Sequence, residues 1–510
     1  MTIRYQIRKD TYFDSVTLML ITNQVKKIDG IEQAVVGMGT DYNIDSLKRL
    51  DMYKPEFTSL TPADLLLCVK AVSENAGDSA LAIAEKLLTA KKTAKSGGPG
   101  KEAAPVSQEA GARALAGANL TLISVPGAHA AREADIALDA GRHVMMFSDN
   151  VTIEEELALK EKAVARELLV MGPDCGTAII NGVPLAFANA VRRGPIGLVA
   201  ASGTGLQEVT SLIHRLGSGV SQAIGVGGRD LSEKIGGKMT LLGAKALAAD
   251  PQTKVLVLIS KPPAEKTLDP LYQTLKQIKK PIVVYFIGAN PEDIRKAGFT
   301  PALNLEDAAV KACELASGKA ISPLLSDEQV TMKVSGLKMP GKYLRGLYSG
   351  GTLCDEAQRL LLGVLPEITS NTPVKGATKL ADIFKSEKNA IVDLGDDDFT
   401  RGKAHPMIDP SLRQECLAAE MADTDVGLIL LDVVLGYGAN PDMAGELVSG
   451  IVAGEKKTTH RPLIFATMCG TEDDPQGYRG QVKKLEDAGV VVFPSNVAMI
   501  KAVKTLFQRR

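Results

Sequence analysis

Pro195-Ile196-Gly197-Leu198-Val199-Ala200-Ala201-Ser202-Gly203-Thr204-Gly205-Leu206-Gln207-Glu208-Val209 is the stretch whose reading decides the fold. An apolar run of strand length gives way to Ser-Gly-Thr-Gly and then to helix-favouring residues, so a buried strand turns into a helix at Ser202. The first N–H groups of a helix have no intrahelical partner, and the aligned peptide dipoles place roughly half a positive charge there. Ser202, Gly203, Thr204 and Gly205 are therefore candidate phosphate-binding residues. The glycines let the backbone close on an anion, and the hydroxyls donate to it or cap the helix. An ordinary capped strand-to-helix turn uses the same residue types, so the surrounding chain has to separate the two.

On the amino-terminal side, strand and helix signals alternate. Leu120 to Val125 reads as a buried strand, Ala130 to Ala140 as a helix, His143 to Phe147 as a strand, Ile153 to Glu167 as a charged amphipathic helix, and Leu168 to Met171 as a strand. Regular alternation of this kind predicts parallel sheets with helices on both faces, and ligands at the carboxyl ends of the strands. Those ends carry Pro126-Gly127-Ala128-His129, Ser148-Asp149-Asn150, Gly172-Pro173-Asp174-Cys175-Gly176-Thr177 and Ile224-Gly225-Val226-Gly227-Gly228-Arg229-Asp230. Residues 1–90 form an α/β segment with strands at Ile3 to Ile7 and Gln33 to Met38. A helix runs over Ser15 to Ile28, with Asp14 and Ser15 as its caps. The Lys, Gly and Ser-rich stretch within 91–117 reads as a linker, and 321–342 as a second one. Between them lie a Rossmann-like domain over 118–192, which the 1–90 segment can join, and a flavodoxin-like domain over 193–320. A last domain spans 343–510, opening on Tyr343 to Glu356 with the same theme of strand, small residues and helix.

The 510 residues are 45% hydrophobic and 23% charged, the balance of a globular enzyme with several cores. A net charge of −1 and the absence of Trp argue against nucleic acid and an anionic membrane surface. No signal peptide and no membrane span is read, so the expected location is cytoplasmic. Six cysteines without CxxC spacing indicate reduced thiols rather than a zinc site or disulfides.

The order of these segments resembles the FdrA family, itself similar to the NDP-forming acyl-CoA synthetases typified by succinyl-CoA synthetase. Met171-Gly172-Pro173-Asp174-Cys175-Gly176 looks like the signature closing the synthetase α-subunit CoA-binding domain. Gly197 to Thr204 looks like the start of its ligase domain, followed by Ile224 to Asp230. Beyond Tyr343 the chain resembles the carboxyl-terminal domain of the β-subunit, and Phe147 to Val151 and His405 to Pro410 belong to the FdrA pattern. The resemblance implies an α/β architecture of several Rossmann-like and flavodoxin-like parallel-sheet domains without an ATP-grasp domain. It departs at three points. Lys9 to Ser15 replaces the glycine-rich CoA phosphate loop, Ile287-Gly288-Ala289-Asn290-Pro291 replaces the phosphorylated histidine segment, and no stretch is left for ATP-grasp.

The resemblance further implies two helix starts clamping one phosphoryl group, the second being near Gly436-Tyr437-Gly438-Ala439-Asn440, with Gly436, Gly438 and Asn440 as phosphate-binding residues. Without the covalent carrier, such a clamp suits free phosphate or an acyl phosphate such as carbamoyl phosphate. The implied activity is that of a subunit of an oxamate carbamoyltransferase, converting oxalurate and phosphate to oxamate and carbamoyl phosphate in allantoin and purine breakdown. Two alternatives stand beside it: a CoA-binding acyl-CoA synthetase subunit, and a non-catalytic scaffold or sensing subunit. Partner subunits and an oligomer are expected in the enzymatic cases, with a small molecule as substrate and CoA as a further candidate ligand.

Within that frame Arg229 is a candidate for polarising the carbamoyl carbon. His405, after the polar stretch Asp396 to Ala404, is the candidate acid or base; a histidine bonded to a loop carboxylate is the equal alternative. Asp149, Asn150, Asp174 and Cys175 are candidate substrate contacts, although turn-forming Asx residues are expected at the same places. Cys175 is also a candidate nucleophile, against the commoner buried thiol, and Cys354 and Cys469 are read in the same way. Asp396, Asp397 and Asp398 offer oxygen ligands for Mg²⁺, against a solvated loop, so the metal stays undecided.

Overall fold

The computed structural model describes residues 1–13, 15–95, 105–400, 404–458 and 460–509. The Asp14 cap and residues 96–104 of the linker lie outside them. The chain divides into two compact units, one of Met1–Ala114 with Asp397–His405, the other of Leu115–Asp396 with Pro406–Arg510.

In the first unit three strands, Thr2–Arg8, Ile31–Met38 and Leu65–Ala71, pair antiparallel with the last in the middle. The alternation in 1–90 thus builds an antiparallel sheet rather than a parallel one. Leu65–Ala71 is nearly all apolar because both of its faces are covered. Leu65, Leu67 and Val69 meet Leu18, Ile21 and Val25 of Ser15–Lys26 and Ala80, Ala84 and Leu88 of Glu74–Lys95. Leu66 and Cys68 meet Leu47, Met52 and Phe57 on the other side. Glu74–Lys95 continues past position 90 because Lys and Ala favour the helix and no Gly or Pro interrupts it there.

The second unit holds two seven-stranded sheets and a small parallel one. The small sheet is Leu120–Ile123, His143–Met146 and Val170–Met171 in that order. Its first helix starts at Gly127, directly after Pro126, three residues earlier than periodicity suggests. The next seven-stranded sheet runs, from one edge to the other, Thr300–Pro301, Ile282–Phe286, Val255–Ser260, Arg193–Ala201, Val220–Gly225, Thr177–Ile180 and Val183–Ala186. Its first five strands are parallel, and a hairpin closed by Asn181 and Gly182, both at positive φ, adds an antiparallel edge. The second large sheet runs Thr378–Lys379, Thr369–Ser370, Ala390–Asp393, Tyr343–Tyr348, Val426–Val434, Leu463–Cys469 and Val491–Phe493, all parallel. One continuous apolar core, from Ile179 and Leu198 to Leu428 and Phe493, joins the two large sheets.

The strand order places two special points. From Arg193–Ala201 the chain goes first to Val220–Gly225 on one side and later to Val255–Ser260 on the other. From Tyr343–Tyr348 it goes first to Thr369–Ser370 and Ala390–Asp393, then to Val426–Val434 opposite. Both strands are topological switch points, where the following helix starts diverge from their neighbours and leave a crevice. Among the described residues no helix is long and apolar enough to cross a membrane.

Candidate functional site

Ser202 and Gly350 follow the two switch-point strands. The helix Gly203–Arg215 is capped by Ser202, whose Oγ accepts the Gly205 N–H at 3.0 Å. The helix Gly351–Leu361 starts after Gly350 without a side-chain cap. These two starts face each other: Ser202 Oγ lies 2.7 Å from Thr352 Oγ1, both nearly inaccessible to solvent. The approach is close enough that a side chain on Gly350 would strike Thr204 at 2.9 Å, and one on Gly205 would strike Ser202 Oγ. Among the described residues the N–H groups of Gly203, Thr204, Gly351 and Thr352 have no acceptor. Two half-positive helix ends with open donors thus meet at one place in the fold, and helix ends of this kind attract anions.

The second start is braced from behind. Asp432 interrupts the apolar strand Val426–Val434 and accepts the N–H groups of Ser349 and Gly350 at 2.8 and 2.7 Å. Fully buried Arg413 donates to Asp432 Oδ1 at 2.7 Å and to the Leu347 carbonyl at 2.8 Å. Lys261 follows Val255–Ser260 at the mouth. Burial works against its charge, but the fields of Asp355, Asp393 and Asp174 prevail and hold the ammonium above its usual range.

Ser202, Gly203, Asp174 and Cys175 line one small cleft together with Thr177, Gly225, Gly227 and Gly228. The remaining candidates fall elsewhere. Gly436 and Gly438 pack on the backbone of Ala186 to Asn189, with the Tyr437 N–H donating to the Ala188 carbonyl at 2.9 Å. Asn440 is a turn residue, its Nδ2 donating to Ile408 and its Oδ1 accepting from the Asp442 N–H. The helix beyond begins at Met443, and its anion position is filled by Asp442, which accepts the Gly445 N–H. The helix start that meets Ser202 is therefore at Gly350-Gly351-Thr352, not near Gly436.

Arg229 is committed to Glu156 at 2.9 Å and to the Val151 carbonyl at 2.8 Å. It belongs to a buried network in which the Lys160 ammonium donates to Glu156, Asp230 and the Val226 carbonyl. Asp230 in turn accepts from Thr240 and Met239, which explains why the loop from Ile224 to Asp230 keeps its shape. Asp149 and Asn150 are exposed, and their backbone lies against Gly127, where a Cβ would fall 2.2 Å from the Asp149 carbonyl oxygen. That glycine is explained by packing rather than by a nucleotide phosphate. Burial pushes the Cys175 thiol up to about 12 and raises Cys354 and Cys469 as well, so none of the three is poised as a thiolate nucleophile. His405 falls in the first unit with Asp397 and Asp398, whereas both helix starts are in the second; residues 401–403 lie outside the described ones. No group of three metal-ligating side chains gathers among the described residues, Asp396 to Asp398 included.

The sequence model of a family described as CoA-ligase matches residues 347–506, the second large sheet and the Gly351 helix. The succinate–CoA ligase [ADP-forming] subunit alpha of Aquifex aeolicus (strain VF5) is 26% identical over 193 residues, 37% of this chain and 62% of that one. The ADP-forming sulfoacetate–CoA ligase subunit SqwL of an Acholeplasma species is 26% identical over 175 residues, 33% of this chain and 58% of that one. The class is thus that of acyl-CoA-synthetase-related proteins with a CoA-ligase domain. Within it, the chain belongs to the family of the uncharacterized protein YahF of Escherichia coli (strain K12), which is 41% identical over 97% of both chains.

Residues 1–105 match a family described as the AllF heavy metal-associated domain. A pair of cysteine or histidine donors for a soft metal is not there. This segment contains no histidine and one cysteine, Cys68, which is fully buried with its thiol pushed up to about 12. Lys9 and Asp10 occupy the first loop, both bonded to Asp64.

Proposed function

We propose that this chain is the acyl-handling subunit of an enzyme of the acid–thiol ligase class, holding phosphate or an acyl phosphate between the Gly203 and Gly351 helix starts. The observation that carries the reading is the 2.7 Å contact of Ser202 with Thr352, which brings two helix starts with open N–H donors together. The names of the relatives, ligases that join carboxylic acids to CoA, support an acyl group passing between phosphate and a thiol. In that step a phosphate oxygen attacks the acyl carbon and the thiolate leaves with the bonding electron pair. The N–H groups of Gly351 and Thr352 stabilise the carbonyl oxygen as it gains charge. In this reading the nucleotide chemistry comes from a partner subunit.

One observation favours a second reading. None of His129, His143, His214 and His460 sits at either helix start, and His214 closes the far end of Gly203–Arg215. A clamp without a covalent carrier suits a free anion, and this supports carbamoyl transfer from oxalurate to phosphate, giving oxamate and carbamoyl phosphate. The two readings separate in one experiment, using the chain alone and with candidate partner subunits. Phosphate-dependent release of thiol from succinyl-CoA or sulfoacetyl-CoA is expected under the first. Phosphate-dependent release of oxamate from oxalurate, with CoA and ATP omitted, is expected under the second. Turnover that survives Gly350→Val, which forces a side chain against Thr204, would place the chemistry away from the paired helix starts; no turnover by wild type in either assay would leave a scaffold.

A further inference from the structure

Gly351 is flanked by two groups that an anion clamp does not itself require. A Cβ built on this glycine would lie 2.5 Å from Asp393 Oδ2 and 3.2 Å from Lys261 Nζ. Asp393 ends the strand Ala390–Asp393 of one large sheet, and Lys261 follows Val255–Ser260 of the other, so each sheet delivers one charged group to the same helix start. Asp393 is 4% exposed. Its backbone is fixed by Asn371, which accepts its N–H and donates to its carbonyl, both at 2.9 Å. Its Oδ1 accepts the Gly395 N–H at 2.9 Å, while Oδ2 takes no hydrogen bond among the described residues. Asp355, a turn into the helix and 7% exposed, likewise takes no hydrogen bond among the described residues. Neither carboxylate is sealed off completely, so a group held at this helix start can reach its unpaired oxygen.

Resting on the phosphate reading of the paired helix starts, we propose that Asp393 exchanges a proton with the species held at the Gly351 helix start, with Lys261 as the positioning counter-charge. The proton balance is closed within the reaction. As a hydrogen phosphate oxygen bonds to the acyl carbon, the bond to the leaving group breaks and its electron pair stays on that group. The phosphate proton passes to the Asp393 carboxylate, which then delivers it to the leaving group; the reverse direction runs the same relay backwards. The groups facing Asp393 are Lys261 from the neighbouring sheet, Asp355 and Cys354 from the helix, and Asp396 from its own loop. Burial pushes Asp393 up to about 7 while Lys261 pulls the other way, which leaves it able to hold or release a proton near neutrality.

The test is calorimetric titration of the full chain with sulfate and with inorganic phosphate, each in two buffers of different ionisation enthalpy. Sulfate does not titrate near neutrality, so any proton taken up on binding goes to the protein. An arriving anion raises the Asp393 pKa further, so wild type takes up protons at pH about 7 and ceases to do so as the pH falls and Asp393 is already protonated. Asp393→Asn, close in shape, is expected to bind sulfate within about threefold of wild type and to lose most of the uptake, and Asp393→Glu to restore it. Lys261→Gln is expected to weaken binding about tenfold and to move the uptake to higher pH. Unchanged uptake in Asp393→Asn overturns the assignment of the proton to Asp393. Absence of binding of either anion to wild type overturns the phosphate reading instead, and the relay with it.

Discussion

Ser202→Ala removes two interactions at once, and the structure says how they divide. The first is the cap on the Gly205 N–H, about 1 kcal/mol in a typical helix. The second is the partner of Thr352 Oγ1, 1% exposed, whose loss adds about 1–2 kcal/mol for a buried hydroxyl left unsatisfied. The single variant should thus lose about 2–3 kcal/mol locally. Thr352→Val keeps the shape and leaves Ser202 still bonded to Gly205, so its loss should be nearer to about 1 kcal/mol. In the double variant the shared bond is counted once, so the losses should fall short of their sum by about 1 kcal/mol. A chain of two units need not unfold in one step, so the assay is native-state hydrogen exchange read on peptides covering Gly203–Arg215 and Gly351–Leu361. Additivity within about 0.5 kcal/mol would refute the claim that the two helix starts are in direct contact.

Other outcomes follow from the same structure. Lys160→Met strands the buried Glu156 and Asp230 carboxylates, and local stability around the Ile224 to Asp230 loop should fall by about 3–5 kcal/mol in hydrogen exchange. Burial raises Glu208 to about 8 and Glu356 to about 7. The folded chain therefore binds more protons than the unfolded one above the ordinary carboxylate range. Stability present at low pH is lost as the pH rises through that window toward 8. Glu208→Gln should flatten that slope by on the order of 2 kcal/mol in urea titrations between mildly acid and mildly alkaline pH; an unchanged slope would remove Glu208 as its source. Iodoacetamide at mildly alkaline pH should modify half-buried Cys416 well before Cys68, Cys175, Cys354 and Cys469, as peptide mass spectrometry would show.

The opening stretch was legible because strand, small residues and helix follow one another within a few positions, and local sequence alone fixes a helix start. What faces it was not. Tyr343 to Glu356 shows the same local pattern, but its pairing with Ser202 is set by strand order in two sheets, which no short window contains. Gly436, Gly438 and Asn440 offered the same residue types, and the discriminating detail is Asp442, which puts a carboxylate where an anion would sit. An aspartate inside the apolar run from Val426 to Val434 was the available hint of Asp432 bracing a helix start. Asp393 and Lys261 had no comparable signal, since each matters through a neighbour from the other sheet. The α/β segment over 1–90 was legible, but the direction of its strands was not, because antiparallel and parallel sheets bury the same apolar runs once both faces are covered.

The central claim is that one anion sits between the two helix starts, and crystals grown with phosphate or arsenate test it most directly. The account predicts a single tetrahedral ion within hydrogen-bond distance of the N–H groups of Gly203, Thr204, Gly351 and Thr352, lost in Gly350→Val. An ion bound instead at the Gly127 or Met443 helix, with the crevice between Ser202 and Thr352 closed to it, would contradict the account.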